Sequence, residues 1–180
     1  MTEWYETRQG LLNTAWDQMQ QRRAARLWAL ATVDANGQPQ VRSVVLRDTD
    51  QDGARLAIHT DLLSVKVAQL QHNPRVGLLC WLPDLALQIR LTADVVVRSG
   101  PRVADIWDSV PTPSREAYGA RPAPATPIND ALAYAKPADP AGFAVLDCTV
   151  TTCDLTHLGT DHRRCVYTKE SEWTGQWVAP

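Results

Sequence analysis

Apolar residues near the start of the chain recur at steps of three, four and seven, so that Trp4, Leu11, Leu12, Ala15, Trp16 and Met19 fall on one side of a 3.6-residue helix. This spacing predicts a packing helix over residues 3–25. From Leu27 the period changes to two. Residues 27–34 and 40–47 flank Asn36-Gly37 and read as a hairpin, because Asn-Gly takes the positive φ that joins right-twisted strands. A third strand is expected at residues 55–60, then a short helix at 62–72 stopped by Asn73-Pro74, and strands at 75–82 and 85–98. Residues 101–140 hold eight of the chain's twelve prolines, which favours surface loops and short helices, one of them at 103–108, and makes the segment a candidate lid. Strands return at 143–153, 163–169 and 173–178. About eight strands with few helices is the count of a closed or nearly closed barrel. The expected fold class is therefore mainly β, with an N-terminal helix and short peripheral helices.

A length of 180 residues suits one domain over the whole chain, and 44% hydrophobic with 21% charged residues suits a folded globular protein. Lys plus Arg number 18 against 20 Asp plus Glu, so no positive excess is available for sequence-blind nucleic-acid binding. No apolar run nears the roughly 20 residues of a membrane span. The start of the chain carries Glu3 and Glu6 and no apolar block of signal-peptide type. A cytoplasmic protein without a membrane partner is expected, with Cys80, Cys148, Cys153 and Cys165 as free thiols.

Glycine spacing removes several enzyme classes. The nearest pairs, Gly37 with Gly53 and Gly159 with Gly175, are 16 residues apart, so neither a Walker loop nor a dinucleotide fingerprint can be written. Any bound phosphate must be held mostly by side chains. Cys148, Cys153, His157 and His162 form a C-x4-C-x3-H-x4-H string. Its central gap is too short for a zinc finger, and strand alternation sets Cys148 and Cys153 on opposite faces, so no metal is expected.

Four segments carry candidate chemistry. Arg42 alternates with Val44 and Leu46 on one strand face, a fixed cation beside an apolar surface that suits a phosphate bearing a flat ring. Thr60, Asp61, Ser64 and Lys66 cluster where a strand hands over to a helix, and hydroxyl, ammonium and free N–H groups there suit the same anion. Gln88 and Arg90 point one way from an otherwise apolar strand, placing an amide that can pair with a heterocycle edge. Asp161-His162-Arg163-Arg164 opens a strand on which Arg164, Val166 and Thr168 share a face.

In order along the chain, Arg42-Ser43-Val44-Val45-Leu46-Arg47, Ile58-His59-Thr60-Asp61, Ser64, Lys66, Asn73-Pro74, Trp81, Gln88, Arg164-Cys165-Val166-Tyr167, Trp173 and Ala179-Pro180 resemble the pyridoxamine 5'-phosphate oxidase-like FMN-binding split barrels, most closely the Alr4036-type subgroup. The resemblance covers nearly all of the chain from Leu27 onward. It implies an FMN cofactor whose phosphate is held by Arg42, Ser64 and Lys66 with Thr60 adding a hydroxyl. It further implies that Val44 to Arg47 lie along the ribityl chain and ring, with Arg47 near the pyrimidine edge and Gln88 at the ring's polar edge. Arg164 is implied to reach the flavin from a second subunit of a homodimer. A hydride-transferring oxidoreductase is the leading expectation, and a non-enzymatic flavin- or haem-binding sensor is the alternative.

The chain also departs from that pattern. Val65 stands where the family's oxidases have a phosphate-binding arginine. The segment matching their substrate-phosphate clamp reads Ile106, Val110 and Ser114 in place of Tyr, Arg and Ser, and Thr160 replaces a further substrate arginine. These losses put oxidation of vitamin B6 phosphates in doubt. Arg115 and Arg121, the nearest replacement cations, are expected to be solvated.

Overall fold

The computed structural model describes residues 2–21 and 26–180. Its helices are α1 (Arg8–Gln20), α2 (Val65–His72), α3 (Ala104–Ser109) and α4 (Thr112–Arg115). Its strands are β1 (Leu27–Val33), β2 (Pro39–Asp50), β3 (Arg55–Asp61), β4 (Arg75–Leu82), β5 (Leu87–Ser99), β6 (Phe143–His157), β7 (Arg163–Thr168) and β8 (Gln176–Val178). The helix expected over residues 3–25 is divided. A 3-10 turn covers Trp4–Glu6, and α1 starts afresh after Thr7, whose hydroxyl caps it by accepting from the Gly10 N–H at 3.0 Å. Residues 22–25 of that expectation lie outside the described residues.

The β1–β2 hairpin turns as its sequence dictates. Gly37 takes φ +80°, and Asp34 accepts from the Asn36 and Gln38 N–H groups, which fixes the turn before it. The sheet runs β3-β2-β1-β4-β5-β6-β7-β8, and an added β3–β6 pairing closes the first six strands into a barrel. β6 makes this possible because it is longer than expected, 15 residues reaching His157. One edge pairs with β5 throughout. The other pairs with β3 from Phe143 to Thr149 and with β7 from Thr152 to His157, so the barrel closes at one end and opens into the β7–β8 flap at the other.

A β-bulge at this change of partner corrects the expectation for the cysteines. Val150 pairs with Ala93 and Thr152 with Thr92, so Thr151 is the extra residue and the alternation of β6 shifts by one. Cys148 and Cys153 consequently share the core face, both fully buried. Burial pushes the Cys148 thiol pKa up to about 12, which makes it an inert apolar filler.

The barrel interior is filled by residues such as Leu30, Leu56, Ile58, Ile89 and Leu155, and α1 adds Leu11, Leu12, Ala15, Trp16 and Met19 to the same core. Trp28 belongs to this core as well. A second cluster lies outside the barrel wall, where Val103, Trp107, Val110 and Tyr118 from the proline-rich segment pack on Phe143 and Val145. No helix among the described residues is long and apolar enough to cross a membrane.

Candidate functional site

Between this second cluster and the outer face of β2 and β3 lies a cavity of about 340 Å³, lined by Ser43, Val44, Val45, Arg47, His59, Thr60, Asp61, Ser64 and Lys66 of the barrel side. Ala117, Tyr118 and Pro124 of the proline-rich segment form the rest of the lining.

Strand parity decides which side of β2 faces it, and here the structure corrects the sequence reading. The set Arg42, Val44 and Leu46 turns toward the barrel, where Val44 and Leu46 join the core. The cavity takes the alternate set, Ser43, Val45 and Arg47, with Val44 at its border. The more apolar set is the one drawn inward, since a barrel interior excludes water. Leu46 accordingly does not line the cavity. Arg42 does not line it either. Its guanidinium is held at the barrel end by the Leu30 carbonyl at 3.1 Å, Thr32 Oγ1 at 2.6 Å and Gln69 Oε1 at 2.9 Å.

Lys66 is the centre of the polar end. It rises from the first turn of α2 and its ammonium donates to Thr60 Oγ1 at 2.9 Å and Ser64 Oγ at 3.1 Å, while the two hydroxyl oxygens stand 3.3 Å apart. Ser64 occupies the N-cap position of α2 but makes no capping bond with its side chain, so its hydroxyl stays with the cluster. An ammonium has three donors, and one of these has no protein acceptor among the described residues. Burial lowers the Lys66 pKa, the nearby charge of Arg42 lowers it further, and Asp61 opposes both. Two cations that disfavour one another in a partly buried site call for an anion. Asp61 accepts from the N–H groups of Leu63, Gly119 and Ala120 and makes no direct bond to the ammonium. One ammonium and two hydroxyls, with a guanidinium behind them, form a donor set whose chemistry suits an anion.

At the other end, Arg47 has a buried Nε with no protein partner among the described residues. Beside it His59 packs edge-on against Phe143 at 5.0 Å between ring centroids. Burial, and then the charge of Arg47, depress its pKa to about 4 against a smaller opposing effect of Asp48, so the imidazole is neutral at physiological pH. A histidine whose folded pKa lies below its unfolded value of 6.5 favours the folded state fully above that value and loses this contribution as pH falls toward 4. His59→Gln is therefore expected to flatten the fall in melting temperature between pH 6.5 and 4, as read by thermal denaturation in parallel with the native chain. An unchanged slope would deny the shift.

Gln88 and Arg164 are not brought to this cavity within one chain. β1 and β4 stand between β2 and β5, and Gln88, Thr156 and Arg164 form one row across β5, β6 and β7 on the outer sheet face. There Arg164 is fixed by a two-pronged pair to Asp154, both contacts 2.9 Å.

The family model of the pyridoxamine 5'-phosphate oxidase FMN-binding domain matches residues 3–99, the stretch that supplies all of the barrel side of the cavity. The chain belongs to this family. FMN is accordingly its cofactor, and the polar end of the cavity has the chemistry an FMN phosphate needs. A pyridoxine/pyridoxamine 5'-phosphate oxidase 2 of Arabidopsis thaliana is 29% identical over 171 residues, covering 84% of this chain and 85% of that protein. A pyridoxine/pyridoxamine 5'-phosphate oxidase of Maricaulis maris (strain MCS10) is 42% identical over 71 residues, but the match spans 39% of this chain and only 31% of the relative's length. Among solved structures, a pyridoxamine 5'-phosphate oxidase-related, FMN binding protein from Nostoc punctiforme PCC 73102 superposes with a TM-score of 0.79 at 26% identity, over 100% of this chain and 99% of its own.

Against the pyridoxamine 5'-phosphate oxidase pattern, the departing positions have definite places here. Val110 is buried in the second cluster and Ile106 packs on it. Val65, 49% exposed, opens α2. Thr160 is exposed in the β6–β7 turn. Arg115 is not solvated as expected. It donates to the Val110 and Asp108 carbonyls, both at 2.9 Å, and lies over the Trp107 ring, so it closes the end of α3. Arg121 is exposed, as expected, and pairs with Asp139 at 2.7 Å.

Sequence reasoning missed the wall formed by Ala117, Tyr118 and Pro124, because a proline-rich segment has no period from which facing residues can be read. It also missed Thr32 and Gln69, which hold Arg42. For Thr32 a signal existed, since it follows Trp28 and Leu30 at core-facing steps of β1 and a polar residue there needs a partner.

Proposed function

We propose that the protein is an FMN-dependent oxidoreductase that works as a homodimer on a substrate without a phosphate group. The observation that carries this reading is the Lys66, Thr60 and Ser64 donor cluster at one end of a cavity whose other end offers Arg47 and His59. Thr60, Ser64 and Lys66 hold the cofactor phosphate, and Arg42 adds its charge from behind. Ser43, Val44 and Val45 run along the cofactor, Arg47 and His59 meet its polar edge, and Tyr118 with Pro124 excludes water from the opposite side. Bound FMN supplies the two-electron chemistry that no side chain here provides. The protein's part is to place it, to keep His59 neutral and to keep the site dry.

The dimer is supported by the outer sheet face, which exposes Leu27, Val41, Leu79, Trp81 and Val178. Trp81 and Val178 lie in the same row as Gln88, Thr156 and Arg164. Packing this face against a second copy carries Gln88 and Arg164 toward the partner's cofactor. An unphosphorylated substrate is supported by Ile106 and Val110 being apolar and Arg115 being bonded to carbonyls, since these three positions then offer no free cation to a doubly charged group.

The test is an FMN titration of the purified chain with mass measurement, followed by anaerobic addition of NAD(P)H. A yellow dimer carrying one FMN per protomer that bleaches on addition is the expected result. A yellow protein that resists every reductant would make it a flavin-binding sensor, and a colourless protein that refuses FMN would end both readings.

A further inference from the structure

Asp61 stands at the end of β3 and is 7% exposed. Its two carboxylate oxygens serve different parts of the chain. Oδ1 accepts from the Leu63 N–H at 2.8 Å, which shapes the turn that carries Ser64 and Lys66 into place. Oδ2 accepts from the N–H groups of Gly119 at 2.7 Å and Ala120 at 3.2 Å, directly after Tyr118 of the opposite cavity wall. The junction is tight on both sides. The Leu62 N–H donates to the Gly142 carbonyl at 2.8 Å. Gly119 takes φ +78°, and a Cβ on it would lie 2.6 Å from Asp139 Cβ, so backbone segments meet here with no space for a side chain.

Beyond this junction the wall has few ties of its own. Arg121 exchanges two backbone hydrogen bonds with Ala135 and pairs with Asp139 at the surface, where it is 71% exposed. Beside the packing of Tyr118 on Phe143, the buried carboxylate of Asp61 is thus a direct hydrogen-bonded connection between the phosphate-binding turn and the segment that contributes Tyr118 and Pro124.

We propose that Asp61 is a positioning residue and not a cofactor ligand: it ties the proline-rich wall to the phosphate-binding turn, so that filling the phosphate site orders the wall. This rests on the FMN reading above. A phosphate held by Thr60, Ser64 and Lys66 restrains residues 60–66, and with them the direction in which the Asp61 carboxylate faces. The entropy of ordering that turn is then already lost when Gly119 and Ala120 bond to it, so the two events favour each other. By linkage the coupling is mutual, and an ordered wall tightens phosphate binding by the same factor.

Amide hydrogen exchange at Gly119 and Ala120 in the full chain tests this, measured without ligand, with saturating FMN and with saturating riboflavin, which lacks the phosphate. FMN is expected to slow both amides at least about fivefold, the low end of ordinary coupling between sites, and riboflavin by less than about twofold. In Asp61→Asn, FMN still binds but its effect on the two amides falls below about twofold. Equal slowing by riboflavin and FMN, or an undiminished FMN effect in Asp61→Asn, overturns the proposal. The comparison of the two flavins uses the native chain, so it decides the matter even where the variant fails to fold. FMN binding with no change at either amide sinks the coupling alone, whereas no FMN binding by the native chain sinks the cofactor reading with it.

Discussion

Lys66→Ala is expected to raise the FMN dissociation constant about ten- to 150-fold, while leaving riboflavin affinity within about twofold, because one charge-assisted contact contributes roughly 1.5 to 3 kcal/mol and only the phosphate feels its loss. Isothermal titration or quenching of flavin fluorescence reads both ligands on the same protein. Lys66 is the cleaner probe of the two cations. Among the described residues its ammonium bonds only to Thr60 and Ser64, whose hydroxyls can turn to water or phosphate when it is gone. Arg42→Ala would also strip a charged donor from each of Thr32 and Gln69, which are 2% and 7% exposed and keep their mutual bond at 2.6 Å, and each lost hydrogen bond to a charged group costs about 1.5 to 3 kcal/mol in folding. A weakened FMN complex in that variant would mix lost binding with lost stability. Equal FMN affinity in native protein and Lys66→Ala would remove the proposed phosphate site.

The positions that proved legible in the sequence are those governed by short-range rules. The hairpin at Gly37, the stop after His72 and the strand–helix handover at Thr60 to Lys66 each follow from local turn chemistry or alternation, and the structure places them as expected. What escaped depends on contacts far along the chain. The break in the N-terminal helix at Thr7 leaves the apolar stripe intact, so periodicity alone does not reveal it. The charge of Arg42 suggests one direction for β2, whereas burial of Val44 and Leu46 governs it. The bulge at Thr151 exists because β6 exchanges β3 for β7 as its neighbour, a tertiary event with no local signature. The role of Asp61 escaped for the same reason, since its partners Gly119 and Ala120 lie 58 and 59 residues away.

Trp81→Glu combined with Leu79→Glu is expected to convert the proposed dimer to monomers and to release FMN with it. Both side chains stand on the outer face of β4, 47% and 39% exposed in the isolated chain, so charging them costs the barrel core little. In a dimer the same positions would be covered. Truncating a central aromatic anchor costs about 2 kcal/mol or more, and an unpaired charge left buried adds roughly 3 to 5 kcal/mol, so the dimer dissociation constant should rise more than about a hundredfold. Light scattering over a concentration series reads that change, and the melting temperature of the monomer checks that the barrel survives. Gln88 occupies the position paired with Trp81, and Arg164 is two strands further along that row, its guanidinium held in place by Asp154. If the proposed dimer carries both side chains to the partner's cofactor, separating the protomers removes them at once, and FMN loss should track dissociation point by point. A variant that becomes monomeric yet keeps FMN at native affinity would show that one chain completes the site by itself, and Gln88 and Arg164 would then have no place in it.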